Sequence, residues 1–276
     1  MMRSVVPQHL IDALTRVQQF AQARGITCYV VGGLLRDQLL HRPLTSLNVD
    51  LAIPSKALMV SRELAAHLGG AFVPLDESAG SARVVLTVEG QRLELDLNDF
   101  RGATLEEDLA RRDFTINALA IALRDWLRDP QALTPLIDPL KGRRALESRT
   151  LIECFPGAFE EDPVRILRAV RFAAQLAFTL APSVAPLISR ALAQLPRVSG
   201  ERIRDELMAT FATDRAHDAI HTLNALGGLD AVFPELAEGR GMDQGNFHHL
   251  DVLGHHMHTR PQADRILADY AEFSEP

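Results

Sequence analysis

Two neighbouring stretches of the chain carry residues whose types and spacing suit phosphate chemistry. Gly32 and Gly33 end a short apolar run, and Arg36 lies one turn into the helix predicted to follow. Backbone amides at such a turn, together with the helix dipole, favour triphosphate oxygens, although a glycine pair also fits a simple tight turn. Asn48 and Asp50 then share one face of a predicted strand. Two carboxylates at this spacing can hold two divalent cations for attack on a phosphate, but only Asp50 is acidic.

Two further stretches carry charged residues at close spacing. The sequence LEEDLARRDFTINALA contains an Arg-Arg-Asp triplet with an asparagine four residues after the aspartate, which in isolation fits a solvated helix cap. In EEDPVRILRAVRF, Asp162 and Arg165 lie one helical turn apart with Pro163 near the helix start, which in isolation fits a salt bridge at a helix N-terminus. Neither stretch alone indicates a particular class of protein. The order of all four stretches along the chain does.

The elements predicted around these residues change in type along the chain. Hydrophobic periodicity predicts a strand, a glycine turn, a helix and a strand over residues 26–53, then a helix and three strands to about residue 100. A mixed sheet with helices therefore accounts for roughly the first 140 residues. From about residue 155, apolar residues recur at helical spacing between Pro, Gly and Ser. We therefore predict an α+β fold in which a mixed-sheet head precedes helices.

Composition restricts the class of protein. The 276 residues suit roughly two globular domains, and the net charge of -7 argues against a protein that coats nucleic acid by bulk electrostatics. Arginine nevertheless far outnumbers lysine and clusters in RRDF, PVRILRAVRF and SGERIRDEL, where it suits bidentate phosphate contacts. No apolar run approaches the ~20 residues of a membrane span and no signal peptide is evident, so we expect a cytoplasmic protein without membrane contact. Cys28 and Cys154 match no ligand spacing, which predicts reduced, buried thiols.

The order of the four motifs, GG-x-x-RD, x-x-D on a strand, RRDFTINA and EDPVRILRAVRF, closely resembles that of the bacterial class II tRNA nucleotidyltransferases and poly(A) polymerases. These enzymes add C or A residues to RNA 3′ ends. The resemblance covers roughly residues 25–235. It implies a nucleotidyltransferase-type head over residues 1–140, a helical neck with a base-reading motif over 141–210, and a helical body over 211–276, with the family's tail absent or cut off. It also implies Mg²⁺, CTP and/or ATP, and a tRNA or other RNA 3′ end, and leaves the oligomeric state undefined.

The resemblance also implies roles for individual residues. Asp50 matches a catalytic metal ligand, and Asp162 and Arg165 match a pair that reads the base edge, so that the protein serves as template. A carboxylate accepts a hydrogen bond from an exocyclic amine, while a guanidinium donates to a ring nitrogen and a carbonyl, and C and A present such groups in different places. The implied nucleotide-binding residues are, in chain order, Gly32, Gly33, Arg36, Arg111, Arg112, Asp113, Asn117, Asp162, Arg165 and Arg168.

One departure from the family pattern affects the metal site. The family has D-x-D on the strand, whereas this chain has Asn48 before Asp50. A neutral amide is a weaker Mg²⁺ ligand than a carboxylate, so the fold should survive and the chemistry should suffer. Three explanations are open: deliberate inactivation, a natural degenerate paralogue, or an enzyme in which another acid compensates. Glu94 and Asp96 share a strand face and could supply that acid, so the candidate metal ligands are Asp50, Asn48 and Asp96.

Other features leave alternatives open. The short segment NDFRGAT replaces a longer flexible loop of CCA-adding members, which favours CC addition or a single nucleotide. The stretch NFHHLDVLGHHMH invites a metal site, and His217 with Asp218 forms the dipeptide of HD phosphohydrolases, but neither comes with the other spaced ligands of that fold. The function hypotheses are therefore an RNA 3′-terminal nucleotidyltransferase, a catalytically inactive protein that binds RNA and nucleotide, and, less favoured, an HD-type hydrolase.

Overall fold

The computed structural model describes residues 6–44 and 47–242. The chain divides into two compact units, residues 1–155 and 156–276. The division lies later than residue 140, where the sequence places the end of the head, because helix 142–147 and the segment after it pack within the first unit. The assignment of neck and body to parts of the second unit stays a prediction.

The first unit is built on a mixed sheet, as predicted, and the sheet has six strands, of which the last was not predicted. The strand order is β3-β4-β5-β2-β1-β6, in which β2 and β5 are parallel and all other neighbours are antiparallel. On β2, Val49 and Leu51 are buried while Asn48 and Asp50 alternate with them on the other face. The strands are Tyr29–Val31 (β1), Leu47–Ile53 (β2), Ala71–Asp76 (β3), Ser81–Val88 (β4), Gln91–Asp99 (β5) and Ala120–Ala122 (β6), with a short Thr150–Leu151 (β7) outside the sheet.

Helices of the first unit cover the sheet and set the turns that carry the motifs. The first helix buries Leu10, Leu14, Val17 and Phe20, which recur three and four residues apart as an amphipathic helix requires. The RRDFTIN segment is a tight turn followed by a 3₁₀ helix, Thr115–Asn117. The helices are Gln8–Gln22 (α1), Gly33–Leu39 (α2), Ala57–Leu68 (α3), Leu105–Ala110 (α4), Leu123–Arg128 (α5) and Gly142–Glu147 (α6).

The second unit is helical over almost all of its described residues, as predicted. Its helix 165–176 buries Ile166, Val170 and Phe172, and helices 200–211 and 216–225 pack against it. The elements are Ala158–Glu161 (α7), Arg165–Leu176 (α8), Thr179–Leu180 (β8), Val184–Ala191 (α9), a 3₁₀ helix Leu192–Arg197, Gly200–Phe211 (α10), Ala216–Ala225 (α11), Gly228–Val232 (α12) and Pro234–Ala237 (α13).

Two sequence expectations concern the chain as a whole. Among residues 6–44 and 47–242, no helix is both long and apolar enough to cross a bilayer. Cys28 and Cys154 are both reduced, as predicted. Cys28 is buried as predicted, but the prediction of a buried thiol is wrong for Cys154, which is half-buried. Burial raises the pKa of the Cys28 thiol to about 12.

Candidate active site

A row of charged side chains crosses three neighbouring strands of the first unit. The register places Asp50 of β2 beside Asp96 of β5, and Asp96 beside Arg83 of β4. Two residues earlier on β2 and β5, Asn48 lies beside Glu94 in the same register. Because residues two apart on a strand share a face, this face presents Asn48, Asp50, Glu94 and Asp96 together.

The glycine turn closes directly over the Asp50 carboxylate. Gly32 has φ +73° and ψ -129°, a backbone conformation that favours glycine. A Cβ atom at Gly32 would lie 3.2 Å from Asp50 Oδ2 and 3.6 Å from Arg112 Nη1. The fold therefore brings the backbone of Gly32, the Asp50 carboxylate and the Arg112 guanidinium around one small space. Gly33 starts α2, a helix of only seven residues, so the turn and the arginine define this space more than a helix dipole does.

Arg112 is held in place by Asp108, a residue that the motif assignment passed over. Arg112 Nη2 and Nε donate to Asp108 Oδ2 at 2.9 and 3.2 Å, and Asp108 is only 1% exposed. The other oxygen, Oδ1, accepts from the Arg101 backbone N–H at 3.2 Å. Thr104 caps α4 by accepting from the Glu107 N–H at 3.2 Å. The four-residue spacing of Asp108 and Arg112 is the sequence signal that could have revealed this pair.

Arg111, the other arginine of the triplet, occupies a different environment. It ends α4 and is exposed, and its backbone carbonyl accepts a hydrogen bond from Arg101 Nη1 at 3.2 Å. Arg101 thus ties the short segment after β5 to α4 through both its backbone and its side chain. The segment is therefore a fixed connection whose polar groups are used within the first unit.

Arg36, Asn117 and Asp113 form a second, buried network beside the turn. Arg36 Nη1 donates to Asn117 Oδ1 at 2.9 Å, and Asn117 Nδ2 donates to Asp113 Oδ1 at 3.1 Å. Arg36 also pairs with both oxygens of Asp37 at 2.9 Å. Arg36, Asp113 and Asn117 are each 7% exposed. The prediction of a solvated helix cap, made from RRDFTIN alone, is therefore wrong. The buried network instead fixes the shape of the turn.

The two acids suggested as replacements for the missing aspartate are held by arginines. Arg83 Nε and Nη2 donate to the two oxygens of Asp96 at 2.7 and 2.8 Å, and Arg83 Nη1 lies 2.6 Å from Glu94 Oε2. Arg92 Nε contacts the other Glu94 oxygen at 2.7 Å. The hydrogen bonds that Arg83 donates to Asp96, above all, raise the pKa of Arg83 above its ordinary value. Asp96 and Glu94 are therefore both paired with arginines, whereas Asn48 is exposed at the end of the row.

The donor atoms on this face are of the kind that a hard divalent cation binds, although both Asp96 oxygens already accept hydrogen bonds from Arg83. They are oxygens of Asp50, Asp96 and the Asn48 amide, and Mg²⁺ commonly binds through one or two carboxylates together with substrate phosphates. Across the described parts of the chain, no three His, Cys, Asp or Glu side chains converge on a metal position. Asp50 beside the Gly32 turn is the carboxylate best placed to share a cation with a bound phosphate.

In the second unit, the base-reading candidates lie at the start of α8. Asp162 Oδ2 accepts from Arg202 Nη2 at 2.7 Å, a contact that the sequence motifs do not suggest. Arg165 is 4% exposed, and it donates to the Ala158 carbonyl at 3.2 Å and contacts Glu161 at 3.5 Å. Arg168 is more exposed and lies 4.0 Å from Glu206 Oε1.

The histidines that the sequence analysis considered fall into two groups. The stretch NFHHLDVLGHHMH lies outside the described residues. His217 and His221 of α11 stack edge to face at 4.3 Å, and Asp218 pairs with Arg215 at 3.0 Å. The His217-Asp218 dipeptide therefore has local partners: His221 in the same helix and Arg215, the residue just before that helix.

Comparison with known families agrees with this architecture. Residues 28–152 match the poly A polymerase head domain, and residues 177–239 match the family described as the probable RNA and SrmB-binding site of polymerase A. Together the two matches cover more than half of the chain. The chain belongs to the tRNA nucleotidyltransferase and poly(A) polymerase family.

Individual relatives show where within that family the similarity lies. The chain is 41% identical over 251 residues to an A-adding tRNA nucleotidyltransferase of Deinococcus radiodurans, covering 86% of this chain and 54% of the relative. It is 39% identical over 217 residues to a CC-adding tRNA nucleotidyltransferase of Geobacter sulfurreducens, covering 79% of this chain and 48% of the relative. The Thermotoga maritima CCA-adding enzyme complexed with tRNA superposes with a TM-score of 0.69 at 29% identity, covering 84% of this chain and 54% of that enzyme. The chain thus spans about half the length of the relatives it matches.

Proposed function

We propose that this chain is a template-independent RNA 3′-terminal nucleotidyltransferase that adds C and/or A to tRNA 3′ ends from CTP or ATP with Mg²⁺. In this reaction the terminal 3′ hydroxyl attacks the α-phosphorus, a new P–O ester bond forms, and pyrophosphate leaves. The observation that carries the proposal is the convergence of the Gly32 turn, Asp50 and Arg112. A glycine turn, a carboxylate and a guanidinium around one space suit a triphosphate with its cation.

The head residues divide this work between them. Arg112, oriented by buried Asp108, is placed to contact phosphate oxygens, and exposed Arg111 is a second phosphate candidate. The Arg36–Asn117–Asp113 network lies beside the turn and fixes its shape, so we assign Arg36 a structural share in triphosphate binding. Asp50, with Asn48 and Asp96 as further oxygens, would hold Mg²⁺. When bound, such an ion stabilises the negative charge that develops on the phosphate and the leaving group.

Selection of the base is assigned to the second unit. Asp162 offers an acceptor and Arg165 a donor, which together distinguish the exocyclic amines of C and A from the carbonyls of U and G. The names of the relatives, A-adding and CC-adding, suit partial synthesis of the CCA end. The compact, hydrogen-bonded segment between β5 and α4 is consistent with a restricted specificity of this kind.

Asn48 gives a second candidate function. Because Glu94 and Asp96 are engaged by Arg83 and Arg92, neither supplies a carboxylate as readily as an aspartate at position 48 would. A chain with an intact phosphate-binding turn and a weakened metal site would bind nucleotide and RNA with little turnover. Incorporation of labelled nucleotide separates this impaired or inactive protein from an active enzyme.

Thermal unfolding with each of the four ribonucleoside triphosphates, with and without Mg²⁺, tests the proposed nucleotide site. A ligand that binds the folded state stabilises it, by about 2.7 kcal/mol at a hundredfold excess over Kd. We expect CTP or ATP to raise the Tm, and Arg112→Ala to abolish that rise relative to its own unliganded Tm. Arg143→Ala, which removes an exposed arginine paired with Glu147 in the same unit, should keep the rise. No rise with any triphosphate at millimolar concentration would contradict the proposal.

A further inference from the structure

Arg202, in the first turn of α10, contacts the proposed base-reading carboxylate. Its Nη2 donates to Asp162 Oδ2 at 2.7 Å, across forty positions of sequence. Asp162 lies between α7 and α8 with an extended backbone, φ -143° and ψ 95°, and Pro163 follows it. The Asp162 side chain is 26% exposed and that of Arg202 is 53% exposed. The pair is therefore at the surface of the second unit and open to a ligand.

A second ion pair fixes α10 against α8 and so fixes the position of Arg202. Glu206, one turn after Arg202, accepts from Arg171 Nε of α8 at 2.6 Å. Arg171 and Glu206 are 15% and 18% exposed, so this pair is more buried than the first. Residues four apart on a helix share a face, hence α10 directs Arg202 and Glu206 toward the same side. The Arg202 guanidinium thus reaches Asp162 from a defined position.

The contact divides the two oxygens of the Asp162 carboxylate. Oδ2 is used by Arg202, and Oδ1 accepts no hydrogen bond from any residue in 6–44 or 47–242. An ionised carboxylate only accepts hydrogen bonds, so Oδ1 suits the exocyclic amine of C or A and repels the carbonyl that U or G presents. A carboxylate free to rotate would present either oxygen in several orientations and would discriminate less.

We propose that Arg202 is a positioning residue for nucleotide selection, which holds the Asp162 carboxylate in one orientation and leaves one oxygen to accept from the base. This inference rests on the proposed function, since it requires Asp162 to face the base. The alternative is an ordinary ion pair between two helical segments. Half-exposed ion pairs contribute little to stability, so loss of Arg202 should leave the second unit folded.

Affinities of the purified chain for CTP, ATP, UTP and GTP, measured by titration calorimetry with Mg²⁺, test the inference. We expect Arg202→Ala to reduce the preference for CTP or ATP over UTP and GTP by about tenfold, the equivalent of one charged hydrogen bond. Arg202→Lys, which keeps a cation, should restore part of the preference. The matched control is Arg204→Ala on the same helix, because Arg204 is exposed and pairs with its neighbour Asp205 at 2.9 Å. It should leave both affinity and preference unchanged.

Asp162→Ala separates failure of this inference from failure of the proposed function. If Asp162→Ala loses the preference while Arg202→Ala keeps it, Arg202 does not position the carboxylate and the inference is overturned, although base reading by Asp162 stands. If Asp162→Ala keeps the preference, base reading by Asp162 fails and the role of Arg202 fails with it. A parent protein that binds no triphosphate, or all four equally, would overturn both.

Discussion

The phosphate-binding candidates of the first unit and the base-reading carboxylate of the second unit are held in contrasting ways. In the first unit, Arg36, Asp108 and Asn117 are almost fully buried and each makes more than one polar contact. In the second unit, Asp162 is partly exposed and its carboxylate has a single arginine partner, Arg202, among the described residues. The first arrangement fixes a shape, whereas the second leaves an acceptor available.

This contrast matches what each site has to recognise. All nucleoside triphosphates share the same phosphates, so a rigid turn can bind them without selection. Bases differ by single donors and acceptors, which are read by groups that still have hydrogen-bonding capacity. Changes in the first unit should therefore cost stability and overall affinity, and changes in the second should mainly alter preference.

The largest effect is expected at Asp108. Asp108→Ala leaves Arg112 without its buried partner and the Arg101 N–H without its acceptor, and we expect a loss of about 3 kcal/mol in the free energy of unfolding. Urea denaturation measures it. Glu106→Ala, which removes an exposed acid from the same helix, should change the free energy by no more than about 0.5 kcal/mol. Equal effects of the two variants would remove the distinction between the units.

Gly32 tests whether the turn encloses a ligand. Gly32→Ala should lower the free energy of unfolding by about 1 to 3 kcal/mol because φ is positive, and the new Cβ would also crowd Asp50 and Arg112. Gly25 has a similar φ of +64° with nothing within 4 Å, so Gly25→Ala gives the backbone cost alone. Triphosphate binding, followed by calorimetry, should be lost in Gly32→Ala and kept in Gly25→Ala. Retained binding in both would show that no ligand lies at the turn.

In the second unit, Arg165 should affect preference more than total binding. Arg165→Ala removes hydrogen bonds to Ala158 and Glu161, which should lower the free energy of unfolding by about 1 to 2 kcal/mol. It also removes the donor of the base-reading pair. Competition among the four triphosphates should become more even while triphosphate affinity is largely kept. Arg190→Ala, an exposed arginine paired with Glu160, is the control. Unchanged preference in Arg165→Ala would exclude Arg165 from base reading.

The smallest effect concerns the buried Cys28 thiol and its pH dependence. Burial raises its pKa from 9.0 to about 12, so between these values the unfolded chain loses the proton and the folded chain keeps it. The stability associated with Cys28 is complete below pH 9 and declines as the pH rises toward 12. The stability difference between the parent and Cys28→Ala should therefore shrink by about 1 kcal/mol from pH 8 to pH 10. A constant difference would mean that the thiol is accessible to water.

Local patterns predicted most of the elements that carry the candidate residues, because strands, the glycine turn and helix starts depend on residues close in sequence. The alternation of LNVDLAI placed Asn48 and Asp50 on one face. Strand register decides the rest, since only the pairing of β4 with β5 shows that Arg83 takes up Asp96 and Glu94. The contact between Arg202 and Asp162 likewise depends on how α10 packs against α8, which no local pattern encodes.

Addition of labelled CTP and ATP to tRNA lacking its terminal CCA, compared between the parent protein and Asn48→Asp with Mg²⁺, tests the central claim most directly. Asn48→Asp restores the second carboxylate beside Asp50, and we expect at least about tenfold faster addition, which corresponds to about 1.4 kcal/mol at the transition state. Asp50→Asn in the same background should abolish addition. Equal rates in the parent and Asn48→Asp would place position 48 outside the metal site, and no addition by either protein would contradict the assignment as an RNA nucleotidyltransferase.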